Sequence, residues 1–285
     1  MEKIVITGAS GFVGSNLTKM FQNGGYEVIG IDRKDLRDTE KLISIINESK
    51  AVINLAGANI VNRWSDEYKK LLYSSRLDTT QAIVEAISQC ETKPDVLIST
   101  SAVGIYKNDK EYNEDNIAYG DDFLAKLGKD WESKALEAEN FGVRTVIFRF
   151  GIVMGNGGAL SKMLTPFKFG LGGTIGDGHQ SFSFIHIQDL IKAYFFALQN
   201  PLQGAYNLTA PVPTTNKGLT KALGKTLHRP TIFPVPEFVL SLIFGEGAKV
   251  LTDGQSVVPK RLLDAGFEFK FKTIEETIEN LVGER

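Results

Sequence analysis

The fold of this 285-residue chain is decided by the stretch Lys3-Ile4-Val5-Ile6-Thr7-Gly8-Ala9-Ser10-Gly11-Phe12-Val13-Gly14. Its first five residues are typical of a short buried strand, and residues 15–23 are typical of a helix. The three glycines, Gly8, Gly11 and Gly14, permit a sharp turn, close approach of backbone to a ligand and close helix–sheet packing. A strand, a glycine turn and the amides of a helix N-terminus together predict a pyrophosphate site.

Strand and helix patterns go on alternating through the first half of the chain. Continuous apolar strands separated by helices imply a parallel sheet that is covered on both faces. With right-handed crossovers this is the doubly wound α/β (Rossmann) arrangement, in which ligands bind at the carboxyl ends of the strands. We predict further strands at residues 26–31, 51–55, 95–100 and 143–149, and helices at 38–48, 66–89 and 121–140.

The character of the sequence changes after residue 149. A glycine-rich span follows, interrupted by a predicted helix at 160–169, and proline-broken segments make up the C-terminal part. The strand predicted at 182–187 and the helix at 189–199 look like a return to the main sheet. We therefore predict two domains: a dinucleotide-binding domain over 1–155, completed by about 182–208, and a smaller substrate-binding lobe made of 156–181 and 209–285.

The amino-acid composition argues against several classes of function. Lys and Arg number 32 against 34 Asp and Glu, so no basic excess indicates a nucleic-acid partner. The single cysteine, Cys90, permits no internal disulfide, and we expect a reducing, cytoplasmic compartment. We expect no membrane association, because no apolar run reaches the length of a span and the first strand leaves no room for a signal peptide. The three histidines are scattered, so no metal site is expected.

Two strand ends carry candidate cofactor residues. The second strand ends at Asp32, and an acid here accepts hydrogen bonds from the adenosine ribose, which favours NAD. Arg33 follows it and can pair with a 2′-phosphate, which favours NADP. The residues alone leave this choice open. The next strand ends at Leu55, Ala56 and Gly57, where small residues let a nucleotide lie close.

A hydroxyl-bearing strand end provides the first catalytic candidate. Ser99, Thr100 and Ser101 end the strand beside which a nicotinamide would lie. Their hydroxyls can hold a substrate oxygen or merely cap the strand, and both interpretations stay open. Ser101 is therefore one of two candidate catalytic residues.

Several motifs, taken together, resemble those of the extended short-chain dehydrogenase/reductases. They are the glycine turn, Asn54-Leu55-Ala56-Gly57, Ser101-Ala102-Val103-Gly104-Ile105-Tyr106, Arg149-Phe150-Gly151-Ile152-Val153-Met154-Gly155 and Phe184-Ile185-His186-Ile187-Gln188-Asp189-Leu190. Others, among them Arg63-Trp64, Trp131-Glu132, Gly157-Gly158-Ala159-Leu160 and Gly178-His179-Gln180, are similar to the epimerase-like branch often labelled the sugar-nucleotide epimerase family. The resemblance covers almost the whole chain.

The resemblance implies a nicotinamide cofactor and a set of residues that contact it. It favours NADP, while Asp32 keeps NAD as the alternative. A homodimer formed through the two long helices is also implied. The implied contacts are Ser10, Phe12 and Val13 in the turn, Asp32 and Arg33 at the ribose, Leu55, Ala56, Arg76 and the backbone near Ile152. A cation at Arg76, on the long helix, can pair with a cofactor phosphate.

The chain departs from the superfamily at the catalytic pair. The superfamily uses a tyrosine and a lysine four residues later on one helical face. Counting back from Glu132, these positions hold Leu124 and Gly128, neither of which can move a proton. Tyr106, which precedes Lys110 by four residues in a polar turn, is the second catalytic candidate, as a residue lining the site.

These observations together favour one class of protein. We expect an NAD(P)-binding epimerase or oxidoreductase of the extended short-chain class, with a nucleotide sugar or a small carbonyl compound as its substrate. The alternative is an NADP-binding sensor without turnover, which the absent tyrosine–lysine pair suggests.

Overall fold

A computed structural model of the chain describes residues 1–283 and, within them, every side chain except that of Lys162. The strands are β1 Lys3–Thr7, β2 Glu27–Ile31, β3 Ala51–Asn54, β4 Val96–Ala102, β5 Glu111–Tyr112, β6 Arg144–Phe150, β7 Ile152–Gly155, β8 Phe184–His186, β9 Gly204–Leu208 and β10 Ser256–Val257. The helices are α1 Phe12–Asn23, α2 Thr39–Ile46, α3 Asp66–Gln89, α4 Phe123–Leu136, α5 Gly158–Lys168, α6 Ile187–Gln199, α7 Asn216–Leu227, α8 Glu237–Phe244, α9 Lys249–Thr252, α10 Lys260–Asp264 and α11 Ile274–Val282.

Six strands form the central sheet in the order β2-β1-β3-β4-β6-β9, and every neighbouring pair is parallel. From β1 the chain first adds β2 on one side. It then crosses back over β1 and adds β3, β4, β6 and β9 in turn on the other side. The predicted α/β class with a parallel sheet is confirmed. The strand order changes direction between β1 and β3, and such a switch point is where the carboxyl ends of parallel strands leave a crevice for a ligand.

Apolar side chains cover both faces of the sheet, as its fully buried strands require. Alternate residues of β1 point to opposite faces, so Ile4 and Ile6 join one core while Val5 joins the other. Helices α1 and α6 cover the first face, and helices α2 and α3 cover the second. Two helical layers on a parallel sheet leave only the strand ends available for function.

The helix bounds predicted from the sequence are close to those observed. The long helix α3 begins and ends at the predicted residues. Its start is fixed by the N-cap residue Ser65, whose side chain accepts a hydrogen bond from the Tyr68 amide. Helix α1 begins at Phe12, three residues earlier than predicted, since Gly11 already serves as its N-cap. The glycine turn is therefore shorter than the sequence indicates.

The prediction that the strand near residues 182–187 returns to the main sheet is wrong. Strand β8 pairs with β7 in a separate two-stranded sheet, with Ile152 opposite Phe184. The free edge of β6 is taken instead by β9, in a register that runs from Val146–Gly204 to Phe150–Leu208. Once β9 occupies that edge, β8 can pair only beyond the end of β6. The domain bounds stay a prediction.

The C-terminal residues pack in two places. Leu262, Phe267 and Phe269 join the core on one face of the central sheet, whereas helix α7 packs on α11 over a separate apolar cluster that includes Leu219, Leu223 and Ile278. Strand β10 pairs with β5, in the segment after β4. None of the helices in residues 1–283 combines the length and the apolar character that crossing a bilayer would require.

Candidate functional site

The glycine turn lies where β1 meets the carboxyl end of β3. Gly8 has a φ of +69°, a left-handed conformation that favours glycine, and the position of a Cβ on it would lie 3.2–3.3 Å from the backbone of Leu55 and Ala56. A Cβ on Gly14 would collide with the Gly8 carbonyl and with Ala9. Backbone atoms thus surround the Cβ positions of both glycines, and only glycine fits at position 14 without a shift of the neighbouring backbone.

Buried polar side chains hold the two strand ends together beneath the turn. The Thr7 hydroxyl donates to Asn54 Oδ1 at 2.8 Å and accepts from the amides of Leu55 and Ala56 at 3.1 and 3.2 Å. Asn54 Nδ2 in turn donates to Thr80 Oγ1 on α3 at 2.8 Å. Since every member is paired, the backbone of the loop after β3 is fixed.

The first amides of α1 face the same crevice. Helix α1 has no side-chain cap at Gly11, and its first in-helix amide bond to a preceding carbonyl is that of Ser15 to Gly11. The amides of Phe12, Val13 and Gly14 precede that bond, and helix starts of this kind bind anions. Ser10 is exposed beside them. The cradle fits a pyrophosphate.

Arg76 reaches from α3 toward the loop after β3. Its guanidinium donates to the carbonyls of Ala58 and Leu72 at 3.1 Å each and lies over the Trp131 ring, 5.2 Å from its centroid. The position of a Cβ on Gly57 would be 3.0 Å from its Cζ. Burial lowers the pKa of Arg76 to about 10. Within residues 1–283 no carboxylate forms an ion pair with it.

Asp32 and Arg33 follow β2 at the same edge, because Ile31 is the register partner of Thr7. The Asp32 carboxylate accepts from the amides of Lys34 and Asp35 at 2.6 and 3.0 Å, which closes its own turn. Arg33 is exposed, and in the described part of the chain it makes no hydrogen bond or ion pair. The acid therefore has a local structural role that the sequence did not indicate.

Phe12 joins the glycine turn to the loop after β7. Its ring carbons would contact a Cβ on Gly155, Gly157 or Gly158 at 3.2 Å or less, so these glycines leave room for the ring. Val13 is half-buried against the core. Ile152 lies at the start of β7, half-buried. The structure thus brings the predicted residues of the turn and of β7 to one crevice.

The two catalytic candidates lie in a buried polar network rather than in that crevice. The Ser101 hydroxyl donates to Glu132 Oε1 at 2.6 Å, and Glu132 pairs with Arg149 through two contacts of 2.7 Å. Arg149 Nη1 donates to the Tyr106 hydroxyl at 2.8 Å, and that hydroxyl donates to Asn207 Oδ1 at 2.7 Å. Each hydroxyl already has its partners, so the catalytic role of Ser101 and Tyr106 stays a prediction.

Burial and charge explain the protonation of this network. Burial raises the pKa of Tyr106 to about 12 despite the neighbouring guanidinium. Burial by itself would lower the pKa of Arg149, but hydrogen bonding and attraction from Glu132 raise it overall. Tyr106 is therefore neutral and Arg149 charged at physiological pH. Tyr106 is 2% exposed.

One face of α4 marks where the superfamily places its tyrosine and lysine. Leu124 lies beside Gly104, and a Cβ on Gly128 would be 3.4 Å from the Ile105 side chain. One turn further along the same face comes Glu132, which is committed to Arg149. The face that would carry proton chemistry here packs against the segment after β4.

His186 and Asp189 also have structural partners. His186 Nδ1 accepts from the Gln188 amide at 3.0 Å and so caps α6. The Asp189 carboxylate accepts from the amides of Lys270 and Phe271 at 2.9 and 2.8 Å. The imidazole thus provides the N-cap of α6, and the acid holds the segment before α11. Burial lowers the pKa of His186 to about 4, so it is neutral at pH 7.

Sequence reasoning missed the residues that hold the site together. Thr7, Asn54, Arg149 and Asn207 are buried polar side chains at or next to the carboxyl ends of their strands. That position could have identified them, because a buried polar side chain is tolerated at a strand end only where it has a hydrogen-bond partner. Within residues 1–283 no group of three or more potential metal ligands comes together.

Comparisons with known proteins give two family matches. The profile of the NAD dependent epimerase/dehydratase family matches residues 4–209, and a domain of unknown function, DUF1731, matches residues 235–281. Epimerase family protein SH2119 of Staphylococcus haemolyticus is 36% identical, with 99% of each chain covered. These matches confirm the resemblance drawn from the sequence motifs.

Two solved structures extend the similarity. The human epimerase family protein SDR39U1, solved with NADPH, superposes with a TM-score of 0.89 at 33% identity and 98% coverage of both chains. A nucleoside-diphosphate sugar epimerase of Corynebacterium glutamicum gives a TM-score of 0.81 at 29% identity, covering 99% of this chain and 58% of that one.

We expect Glu132→Gln to lower the free energy of unfolding by about 3–5 kcal/mol, because it leaves the Arg149 charge buried without a counter-ion. Glu137→Gln is the matched control. It breaks the more exposed ion pair with Lys134, and we expect a cost of no more than about 1 kcal/mol. Urea denaturation of both variants measures the two costs, and equal costs would contradict the assigned role of the buried pair.

The neutral His186 should also make stability depend on pH. Its folded pKa is about 4 against 6.5 unfolded, so only the unfolded chain takes up a proton between these values. Stability should therefore fall as the pH drops from 6.5 to 4, by up to about 3 kcal/mol from this residue. His186→Asn keeps a capping side chain, and the stability difference between wild type and this variant should shift by that amount.

Chemical denaturation at pH 7, 6, 5 and 4.5 provides the comparison. His228→Asn, the same substitution at an exposed imidazole, is the matched control. A difference between wild type and His186→Asn that stays constant over this range would argue against a buried neutral imidazole.

Proposed function

This chain belongs to the NAD dependent epimerase/dehydratase family, and on that premise we propose that it binds NADPH and reduces a carbonyl compound. The observation that carries the proposal is the cradle formed by Gly8, Gly14 and the first amides of α1 at the switch point of the sheet. It supports a pyrophosphate site, because amides and glycines meet there with no side chain in between.

The residues around the cradle have separate roles in holding the cofactor. The amides of Ser10, Phe12 and Val13 would bind the pyrophosphate, and Arg76 would add a charged donor beside Gly57. Leu55 and Ala56 would lie along the nucleotide. Their amides would point away from it, because both donate to the Thr7 hydroxyl. We expect Gly11 and the backbone near Ile152 to contact the cofactor as well, because they lie around the same cradle.

The turn after β2 favours NADPH over NADH. The Asp32 carboxylate is already bonded to two amides of its own turn, which weakens the usual reason for expecting NAD. Arg33 is exposed next to it and can pair with a 2′-phosphate. The human relative solved with NADPH supports the same choice.

The chemistry that NADPH supplies when bound is a hydride for a carbonyl carbon. The carbonyl oxygen must then gain a proton, and neither Leu124 nor Gly128 can deliver one. Because the hydroxyls of Ser101 and Tyr106 are bonded within the protein, solvent water is the proposed proton source. The chain's own contribution is then to position the two reactants.

A second candidate function is a sensor that binds NADPH without turnover. The observation in its favour is the same commitment of Ser101 and Tyr106 to the buried Glu132–Arg149 pair. Both candidates require the cofactor, and they differ only in whether a reaction follows. They are therefore separated by turnover and not by affinity.

Arg33→Ala should weaken NADPH binding at least about tenfold, because it removes a charge-assisted contact to the 2′-phosphate. NADH binding should change by less than about twofold, since NADH lacks that phosphate. Arg37→Ala, an exposed arginine four residues later, is the matched control and should leave both affinities unchanged. Calorimetric titration measures all four affinities, and an equal loss for both cofactors would refute the phosphate contact.

Turnover is tested by NADPH oxidation with a panel of carbonyl compounds and nucleotide sugars. Saturable oxidation should appear and should disappear in Gly14→Val, whose side chain would collide with the Gly8 carbonyl. Gly104→Ala is the control, because its Cβ would make only ordinary contacts at 3.7 Å. Tight NADPH binding without oxidation of the cofactor by any compound would favour the sensor.

A further inference from the structure

One part of the chain carries cations without any acids among them. Residues 156–176 and 209–236 contain no aspartate or glutamate, although the whole chain has a net charge of −2. These two segments supply helices α5 and α7, which pack against each other. Positive charge is therefore concentrated on one region of a protein that is slightly acidic overall.

Helix α7 presents a row of lysines. Lys217, Lys221 and Lys225 follow one another at intervals of four residues, so their side chains lie on one side of the helix. All three are exposed, whereas Leu219 and Leu223 are buried in the cluster shared with α11. In the part of the chain that the structure describes, no carboxylate, including those of α11, forms an ion pair with these lysines.

Two further cations extend this row beyond the end of α7. Arg229 is exposed, and its Nε donates to the carbonyl of Lys168, the last residue of α5, at 3.1 Å. Lys168 is exposed as well, and across residues 1–283 neither side chain forms an ion pair. We call the five cations the basic stripe: Lys168, Lys217, Lys221, Lys225 and Arg229.

Large apolar side chains are exposed directly beside the basic stripe. Phe169, the neighbour of Lys168 in the chain, is 77% exposed, and Ile232, three residues after Arg229, is 72% exposed. Leu171 and Phe233 are 59% and 51% exposed. We call the four residues the apolar patch: Phe169, Leu171, Ile232 and Phe233.

Backbone contacts hold the apolar patch against the end of α7. A Cβ on Gly170 would lie 3.6 Å from Pro230, and a Cβ on Gly173 would collide with the Phe233 carbonyl. A Cβ on Gly224, the residue before Lys225, would lie 2.6 Å from Thr231 Cγ2. The two segments that carry the patch therefore lie against each other and against α7, so the basic stripe and the apolar patch are neighbours on one surface.

We propose that this surface binds the protein peripherally to a membrane that contains anionic lipids. The basic stripe attracts the headgroups, and the apolar patch enters the boundary between headgroups and acyl chains. This departs from the absence of membrane association expected from the sequence, which considered spanning segments and a signal peptide. Peripheral binding needs neither, and it is independent of the proposed reaction.

The apolar patch favours a membrane over a nucleic acid as the occupant. The phosphates of a nucleic acid attract the same cations, and phenylalanine rings can stack on its bases. Leu171 and Ile232 have no aromatic face, so stacking gives them no partner. Acyl chains bury aliphatic and aromatic side chains alike, and that burial adds to the attraction between the cations and the headgroups.

Co-sedimentation with phosphatidylcholine vesicles that contain about one third phosphatidylglycerol tests the inference. A variant that combines Lys217→Gln, Lys221→Gln and Lys225→Gln should bind about a hundredfold more weakly, because each lysine near an anionic surface contributes about fivefold. Raising the salt from about 0.1 M to about 1 M should also release the wild-type protein, since it shortens the range of the attraction.

The matched control makes the same change of net charge elsewhere on the surface. It combines Lys19→Gln, Lys70→Gln and Lys126→Gln, at exposed lysines of α1, α3 and α4, and should bind the vesicles as wild type does.

The apolar patch is tested separately. Phe169→Ser and Ile232→Ser should each weaken vesicle binding about tenfold, because they remove side chains that enter the membrane boundary. Leu263→Ser, at an exposed leucine of α10, is the control and should have no effect.

Four results would overturn the inference. They are equal binding to vesicles of phosphatidylcholine alone, an equal loss in the two triple-lysine variants, unchanged binding of both apolar-patch variants, and tighter binding to a single-stranded oligonucleotide than to the anionic vesicles. The salt dependence is measured on wild type, so the test does not depend on the folding of any variant.

Discussion

The buried ion pair between Glu132 and Arg149 connects most of the structure around the site. It fixes α4 to β6 by two contacts, holds the end of β4 through Ser101, and reaches β9 through Tyr106 and Asn207. Charges this deeply buried are tolerated only when every partner is present. The pairing of β4, β6 and β9 in the sheet is therefore supplemented by a side-chain network, and removing one member of it should be costly.

This network has a direct consequence for chemistry. Ser101 and Tyr106 have the residue types of catalytic groups, but their hydroxyls form hydrogen bonds with the two members of the ion pair. At the same edge, Leu124 joins an apolar cluster instead of offering a proton. The glycine turn is present, whereas Leu124 and Gly128 occupy the positions at which the superfamily has its tyrosine and lysine.

The parts that sequence analysis predicted well depend on local signals. The glycine turn after β1 and the bounds of α3 were readable because turn geometry and capping are properties of a few neighbouring residues. The partner of β8 was predicted wrongly, because strand pairing depends on which of several distant strands occupies the edge of β6. The role of Asp32 was equally hidden, since its carboxylate could face a ribose or its own turn.

The sequence by itself determined that a parallel sheet carries a glycine turn at its switch point, and that Leu124 and Gly128 stand where proton chemistry is usual. Periodicity, glycine spacing and residue identity are sufficient for those conclusions. Only the tertiary structure decided that Ser101 and Tyr106 are enclosed, that the Arg76 guanidinium lies against Gly57, and that α8 is left uncovered. Burial and pairing are properties of residues far apart in the chain, so no local pattern can supply them.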